Sequence, residues 1–113
     1  SVSQSTQARL LTDIPPTETV ASNEPWLVYW LRPDAKSFPL PPSPNDWPQE
    51  RLTRDQQRIE HELNRDPEIW GVVIDEGPDV REPINSPTYS ANLVPRDEQI
   101  AGDRLTLYRI KRR

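Results

Sequence analysis

Residues 14–32, IPPTETVASNEPWLVYWLR, combine a strand-like run, a sharp turn and a dense apolar block, and the fold depends on how they are read. Thr19, Val20 and Ala21 suit a short buried strand. Ser22 and Asn23 can cap a following helix, and Pro25 fits a first helical turn, where no amide donor is needed. Arg32 precedes Pro33 and is steered out of helical geometry, so the helix should end near Leu31. The expected order is strand, turn, helix. A second strand is the rival reading, because Trp26, Leu27, Val28, Tyr29 and Trp30 all have strand propensity and an unbroken apolar run carries no readable phase.

Upstream, Ala8, Leu10, Leu11 and Ile14 form a weak helical stripe that Pro15 and Pro16 stop, so a short amphipathic helix is expected over 3–13. Downstream, Asp34 and Ala35 turn the chain into a short segment at Ser37, Phe38, Pro39 and Leu40. Pro39 cannot donate to a ladder, which restricts that segment to a sheet edge. PLPPSPNDWP, from Pro39 to Pro48, favours polyproline II geometry and reads as a stiff connector into the next helix. That helix, expected from Trp47 to Asp66, has a cap in Asn45 or Asp46, and Leu52, Ile59 and Leu63 lie on one face. Arg51 with Asp55 and Arg58 with Glu62, four apart, belong on its exposed sides.

Trp70, Gly71, Val72, Val73 and Ile74 make a continuous apolar run closed by Asp75 and Glu76, the pattern of a central strand buried on both faces. Gly77 to Pro95 carries Pro78, Pro83, Pro87 and Pro95 and is expected as loop, so that 77–103 forms one long connection. After a turn at Gly102 and Asp103, Arg104 to Ile110 reads as a closing strand with apolar side chains on both faces. Together these give a single domain over 1–113: a small two- or three-layer α/β sandwich with a mixed, mostly parallel four-stranded sheet and long proline-rich loops. The expected order is the Phe38 strand, then Val20, Val73 and Leu107, the last antiparallel.

Composition narrows the function. The chain has 113 residues, 14 prolines, a net charge of −4 and no cysteine, which excludes a disulfide framework and a thiolate metal site. Cations cluster only at Lys111, Arg112 and Arg113, read as a solvated tail, so no nucleic-acid partner is expected. The longest apolar run, Trp26 to Leu31, falls far short of the ~20 residues that span a bilayer. The chain has no methionine, so Ser1 reads as a cut in something longer.

If the strands at Val20, Phe38 and Val73 are parallel, their C-terminal ends line up where ligands bind in such folds. That edge would carry Asn23, Glu24, Asp75 and Glu76 as candidate ligand-binding residues. Two carboxylates there could hold a divalent cation or work as acid and base, although a strand ending in acids is also ordinary surface chemistry. No catalytic residue, metal ligand or cofactor is assigned. His61 has no second histidine at metal spacing and reads as a surface residue. Trp26, Tyr29, Trp30 and Trp70 could stack on sugars or bases, but as a group they read as core.

The run LLTDIPPTETVASNEPWLVYWLRPDAKSFPLP, followed by a charged helix, WGVVIDE and a terminal DRLTLYRIKRR, resembles the C-terminal extracytoplasmic segment of polytopic membrane glycosyltransferases of the protein mannosyltransferase and aminoarabinose transferase type. The resemblance spans Leu10 to Arg113. It implies a domain on the extracytoplasmic face of a bacterial membrane, joined to the membrane-embedded remainder of a parent chain that moves sugar from a polyprenyl-phosphate carrier to a glycan, lipid or protein acceptor. The family's catalytic acids lie in loops between early membrane helices, so none carries over to this sequence, and residues 77–103 depart from the family's spacing. The resemblance therefore implies a non-catalytic accessory domain. Two other readings remain open: an independent protein-interaction module using Pro39–Pro48, and a small metal-dependent hydrolase using Asp75 and Glu76.

Overall fold

The computed structural model describes residues 11–40, 49–76, 86–100 and 103–113. A five-stranded sheet runs through them. Its strands are β1 (Thr19–Ser22), β2 (Lys36–Pro39), β3 (Glu68–Glu76), β4 (Tyr89–Ile100) and β5 (Asp103–Arg112), in the order β2-β1-β3-β5-β4. Helix α1 (Pro25–Leu31) joins β1 to β2, and α2 (Gln49–Arg65) joins β2 to β3. Pairing is parallel for β1 with β2 and β1 with β3, and antiparallel for β3 with β5 and β5 with β4.

The order of the first four strands is the one the sequence predicts; the fifth is a correction. Residues 89–100 are not loop. Tyr89 to Leu93 pair with Arg112 to Tyr108, and Asp97 to Ile100 pair with Thr106 to Asp103, with the register shifting between Leu93 and Asp97. Pro95 falls inside that shift, on an edge strand, which is where a sheet tolerates a residue that cannot donate. The added strand also makes the sheet evenly mixed and not mostly parallel. Ser86 starts β4: its buried hydroxyl accepts the N–H groups of Thr88 (3.1 Å) and Tyr89 (3.2 Å).

One core lies on each face of the sheet, giving three layers. Leu11, Ile14, Leu27, Val28 and Ala35 pack with Val20, Val72, Ile74, Leu105 and Leu107 on the first face. On the second, Ile59 and Leu63 of α2 pack with Ala21, Phe38, Ile69, Val73, Tyr89, Tyr108 and Ile110. β3 feeds both cores, which explains its unbroken apolar run. Gly71 is the exception in that run for a reason: a Cβ there would stand 3.1 Å from Ile110 Cδ1 and 3.3 Å from Tyr108 Cβ, on the neighbouring strand.

Other expectations shift. Of the segment expected as an N-terminal helix, residues 3–10 lie outside the described residues, and Leu11–Asp13 form a single 3-10 turn. The residue at the N-cap of α1 is Glu24, not Ser22 or Asn23, and no side chain caps it. On α2, Asp55 and Glu62 are buried where sequence spacing put them outside. The start of α2 at Trp47 and Pro48, most of the proline run, the loop over 77–85 and the Gly102 part of the final turn lie outside the described residues. The terminal cations are not a loose tail: Arg112 bonds Asn64, while Arg113 Nε donates to the Ser86 carbonyl at 2.8 Å and its amide to Thr88 at 3.0 Å.

Candidate functional site

β1 leads to β2 on one side and the chain then returns past β1 to β3, so α1 and α2 cross on opposite faces and the strand order reverses between β1 and β3. The crevice beyond the C-terminal ends at such a reversal is the usual ligand site of open α/β sheets. Asn23 follows β1 there, and Asp75 and Glu76 close β3, so the sequence-predicted residues do converge on one edge. Asn23, however, is spent. Its Nδ2 donates to the Ile74 carbonyl (2.7 Å) and its Oδ1 accepts the Ile74 amide (2.9 Å), so one carboxamide continues the β1–β3 ladder after the β1 backbone has turned away. The neighbouring Ser22 hydroxyl accepts the Glu24 amide at 3.0 Å, and the Glu24 carbonyl accepts the Leu27 and Val28 amides that start α1. Asp75 and Glu76 stand opposite Arg104 and Asp103 in the β3–β5 ladder. No group of three or more histidines, aspartates or glutamates among the described residues is placed to hold a metal ion.

The other end of α1 is held in the same manner. Arg32 Nη1 donates to the carbonyls of Leu11 (2.7 Å) and Ile14 (2.9 Å), and Nη2 donates to Pro15 (3.2 Å). Its remaining edge grips Asp34, with Nε to Oδ1 at 3.1 Å and Nη2 to Oδ2 at 3.1 Å. Asp34 also accepts the amide of Thr17 at 2.9 Å, and Thr17 sits at φ 62°, left-handed backbone that a β-branched residue rarely adopts. The Arg32 hydrogen bond and then the Thr17 amide hold the Asp34 carboxyl down to about 2.

With both ends fastened, α1 presents a face that the sequence did not reveal. At about 100° per residue, Leu27, Val28 and Leu31 fall on one side of a helix and Trp26, Tyr29 and Trp30 on the other. The aliphatic side is buried or half-buried, while Trp26, Tyr29 and Trp30 are 65%, 62% and 60% exposed. The expectation that these aromatics are core is therefore wrong for three of the four. The split between aliphatic and aromatic residues was a usable signal. Trp70 differs: it is half-buried and the Arg109 guanidinium lies over its ring at 4.4 Å, while Arg109 Nη2 bonds Glu68 at 3.0 Å.

Two grooves meet at the β2 edge. One, of about 420 Å³, is lined by Pro25, Trp26, Tyr29, Ser37, Phe38, Pro39 and Arg58. The other, of about 470 Å³, is lined by Arg51, Arg54, Asp55, Gln57, Arg58 and again Pro39. Arg58 stands between them, 4.9 Å from the Phe38 ring centre and 3.2 Å from Glu62. Glu62 also takes Lys36 at 2.8 Å; burial would push its carboxyl up, but the Lys36 and Arg58 bonds outweigh that and hold it below its ordinary value. Burial raises Asp55 against the opposing pull of Arg51 and Arg54. His61 is exposed, as its sequence context suggests. No protein-family model, curated protein or solved structure matches the chain.

Proposed function

We propose that this chain is a non-catalytic extracytoplasmic accessory domain of a membrane glycosyltransferase that uses a polyprenyl-phosphate sugar donor, and that it serves in positioning the acceptor. The observation that carries the reading is how the most distinctive residues of the resembling run are used. Asn23, a candidate site residue of that run, and Arg32, its one arginine, are bound to backbone groups of Ile74, Leu11, Ile14 and Pro15. A motif spent on architecture supports a scaffold role, and what it scaffolds is an outward aromatic face. Aromatic rings with polar tips suit surfaces that are apolar at one end and wet at the other. No helix among the described residues is long and apolar enough to cross a membrane.

The test uses the parent protein in its membrane. A Trp30→Ser variant should raise the KM for the acceptor severalfold and leave kcat in place, while the 113-residue chain alone transfers no sugar from a polyprenyl-phosphate donor. The hydrolase reading makes the opposite forecast. A saturable magnesium or calcium isotherm that Asp75→Asn abolishes, together with turnover by the isolated chain, would overturn the accessory-domain proposal. So would a coding sequence with no apolar spans upstream of Ser1.

A further inference from the structure

We propose that the outer edge of β2, walled by Trp26 and Tyr29 of α1 on one side and by the arginines of α2 on the other, is a docking groove for an extended acidic peptide. The partner would add a short strand to the sheet. This goes beyond the accessory-domain reading and does not rest on it.

The backbone gives the first argument. The Lys36 amide donates to the Glu18 carbonyl (2.9 Å) and the Leu40 amide to the Ser22 carbonyl (2.8 Å), so alternate residues of β2 face β1. Ser37 and Pro39 therefore face away from it. Ser37 offers an N–H and a C=O, and Pro39, which has no N–H, offers a C=O, about 6.6 Å further along at the rise of a strand. That spacing is the repeat of another strand, and it is how peptides add to exposed sheet edges. Pro39 also fixes the length: a ladder of a few residues forms here and goes no further, which guards the edge against indiscriminate pairing.

The flanks give the second argument. Side chains of an added strand point alternately to the two faces of the sheet. On the α1 face they meet the exposed rings of Trp26 and Tyr29, beside Pro25. On the α2 face they meet Arg54 and Arg58, with Arg51 beyond, beside the carboxylates of Asp55 and of Glu62, the latter shared by Arg58 and Lys36. Arg54, Arg58 and Lys36 against Asp55 and Glu62 leave a local excess of positive charge on a chain whose net charge is −4. The two grooves share Pro39 and Arg58, so one extended ligand can occupy both. The recognised pattern is apolar and acidic residues in alternation, with the acids toward α2.

The probe is a fluorescein-labelled peptide of three Glu-Val repeats, titrated into the 113-residue chain by fluorescence anisotropy and followed by amide shifts. Binding at micromolar Kd is expected, with the Ser37 amide among the largest shifts. Replacing glutamate by lysine in the peptide should weaken binding by about tenfold or more, and N-methylating alternate peptide amides by a similar factor. Arg54→Glu and Ser37→Pro should each weaken it about tenfold, and Tyr29→Ser less. Because the peptide variants change nothing in the protein, they stand even where a protein variant loses its fold. Equal affinity for the lysine peptide, indifference to N-methylation, no binding below millimolar, or an acidic oligosaccharide that binds this groove where the peptide does not, would each overturn the proposal.

Discussion

The two halves of the sheet are built by different means. In the antiparallel half, β3, β5 and β4 run nine, ten and twelve residues, and β3 pairs with β5 without interruption from Glu68 to Glu76. Backbone ladders hold it. In the parallel half, β1 and β2 have four residues each and α1 has seven, too short for backbone bonds alone to fix their ends. There the chain is fastened by side chains on backbone: Asn23 at one end of α1 and Arg32 at the other. Short elements end early and leave grooves and outward rings: the aromatic face lies on that half and both grooves border it, whereas Asp75 and Glu76 close β3 in the other.

The comparison breaks first if β3 is not the element shared by both halves. Val73 is fully buried in the second core, so Val73→Asp places an unpaired carboxylate there at a cost of several kcal/mol against a total of ~5–15. The variant should be unfolded at room temperature by circular dichroism; a melt within a few degrees of the parent would remove β3 from the centre of the fold.

Next comes Asn23. Asn23→Ala leaves the Ile74 N–H and C=O without their partner and should cost about 2–3 kcal/mol. Hydrogen exchange should locate the damage, with β1 and α1 losing protection well before β5. Uniform loss across both halves would show that the fastener acts on the whole sheet.

Arg32 gives a smaller and pH-dependent effect. Arg32→Lys cannot reach three carbonyls and a carboxylate from one point charge, and about 1–2 kcal/mol should be lost. The Asp34 carboxyl is depressed to about 2 in the folded chain against an ordinary 3.8. Its contribution is therefore complete above about pH 4 and disappears as the pH falls toward 2. Without the guanidinium this acid limb should move up by an observable margin, and an Asp34 titration midpoint near 4 in the parent would show that the clamp is not formed in solution.

These cases also show what a reader of the sequence could and could not find. Strand order was legible because Pro39 forces an edge, the run at Val73 demands cover on both faces, the Val20 strand fits between them and the Leu107 strand fits beyond Val73. β4 was missed because Pro83, Pro87 and Pro95 outweigh the strand propensity of Tyr89 and Val94 until the partner strand is known; the β5 ladder overrides local preference. Asn23 was chosen for its place at the end of a strand, and that place was right. Its partner, the Ile74 backbone, lies 51 positions away and leaves no local trace. The aromatic face went unread because an unbroken apolar run hides its phase until its aliphatic and aromatic members are separated, and Glu62 because Lys36, from β2, joins Arg58 in making its burial tolerable.

Tyr89, in the antiparallel half, sharpens the contrast with a gain. Its hydroxyl is buried and finds no partner among the described residues. Burial, with the nearby charge of Glu60, raises its pKa, so the group is neutral at any ordinary pH. Tyr89→Phe removes an unsatisfied donor and should stabilise the fold by about 1 kcal/mol in a denaturant melt. A loss of that size would instead mean that the hydroxyl bonds to a residue outside the described set.

The smallest effect is expected where the sequence looks most hydrophobic. Trp26 and Trp30 are 65% and 60% exposed, on the side of α1 opposite Leu27 and Val28. Serine has about the same helix propensity as tryptophan, so replacing both removes little from the helix itself. The double variant Trp26→Ser, Trp30→Ser should melt within about 0.5 kcal/mol of the parent, as surface substitutions do, while Leu27→Ala one position away should cost about 2–4 kcal/mol. That pair of results would separate a face kept for an outside surface from one that holds the domain together. If the double variant lost as much as Leu27→Ala, the rings would be packing on another part of this chain, and both the aromatic platform and the groove beside it would have to be given up.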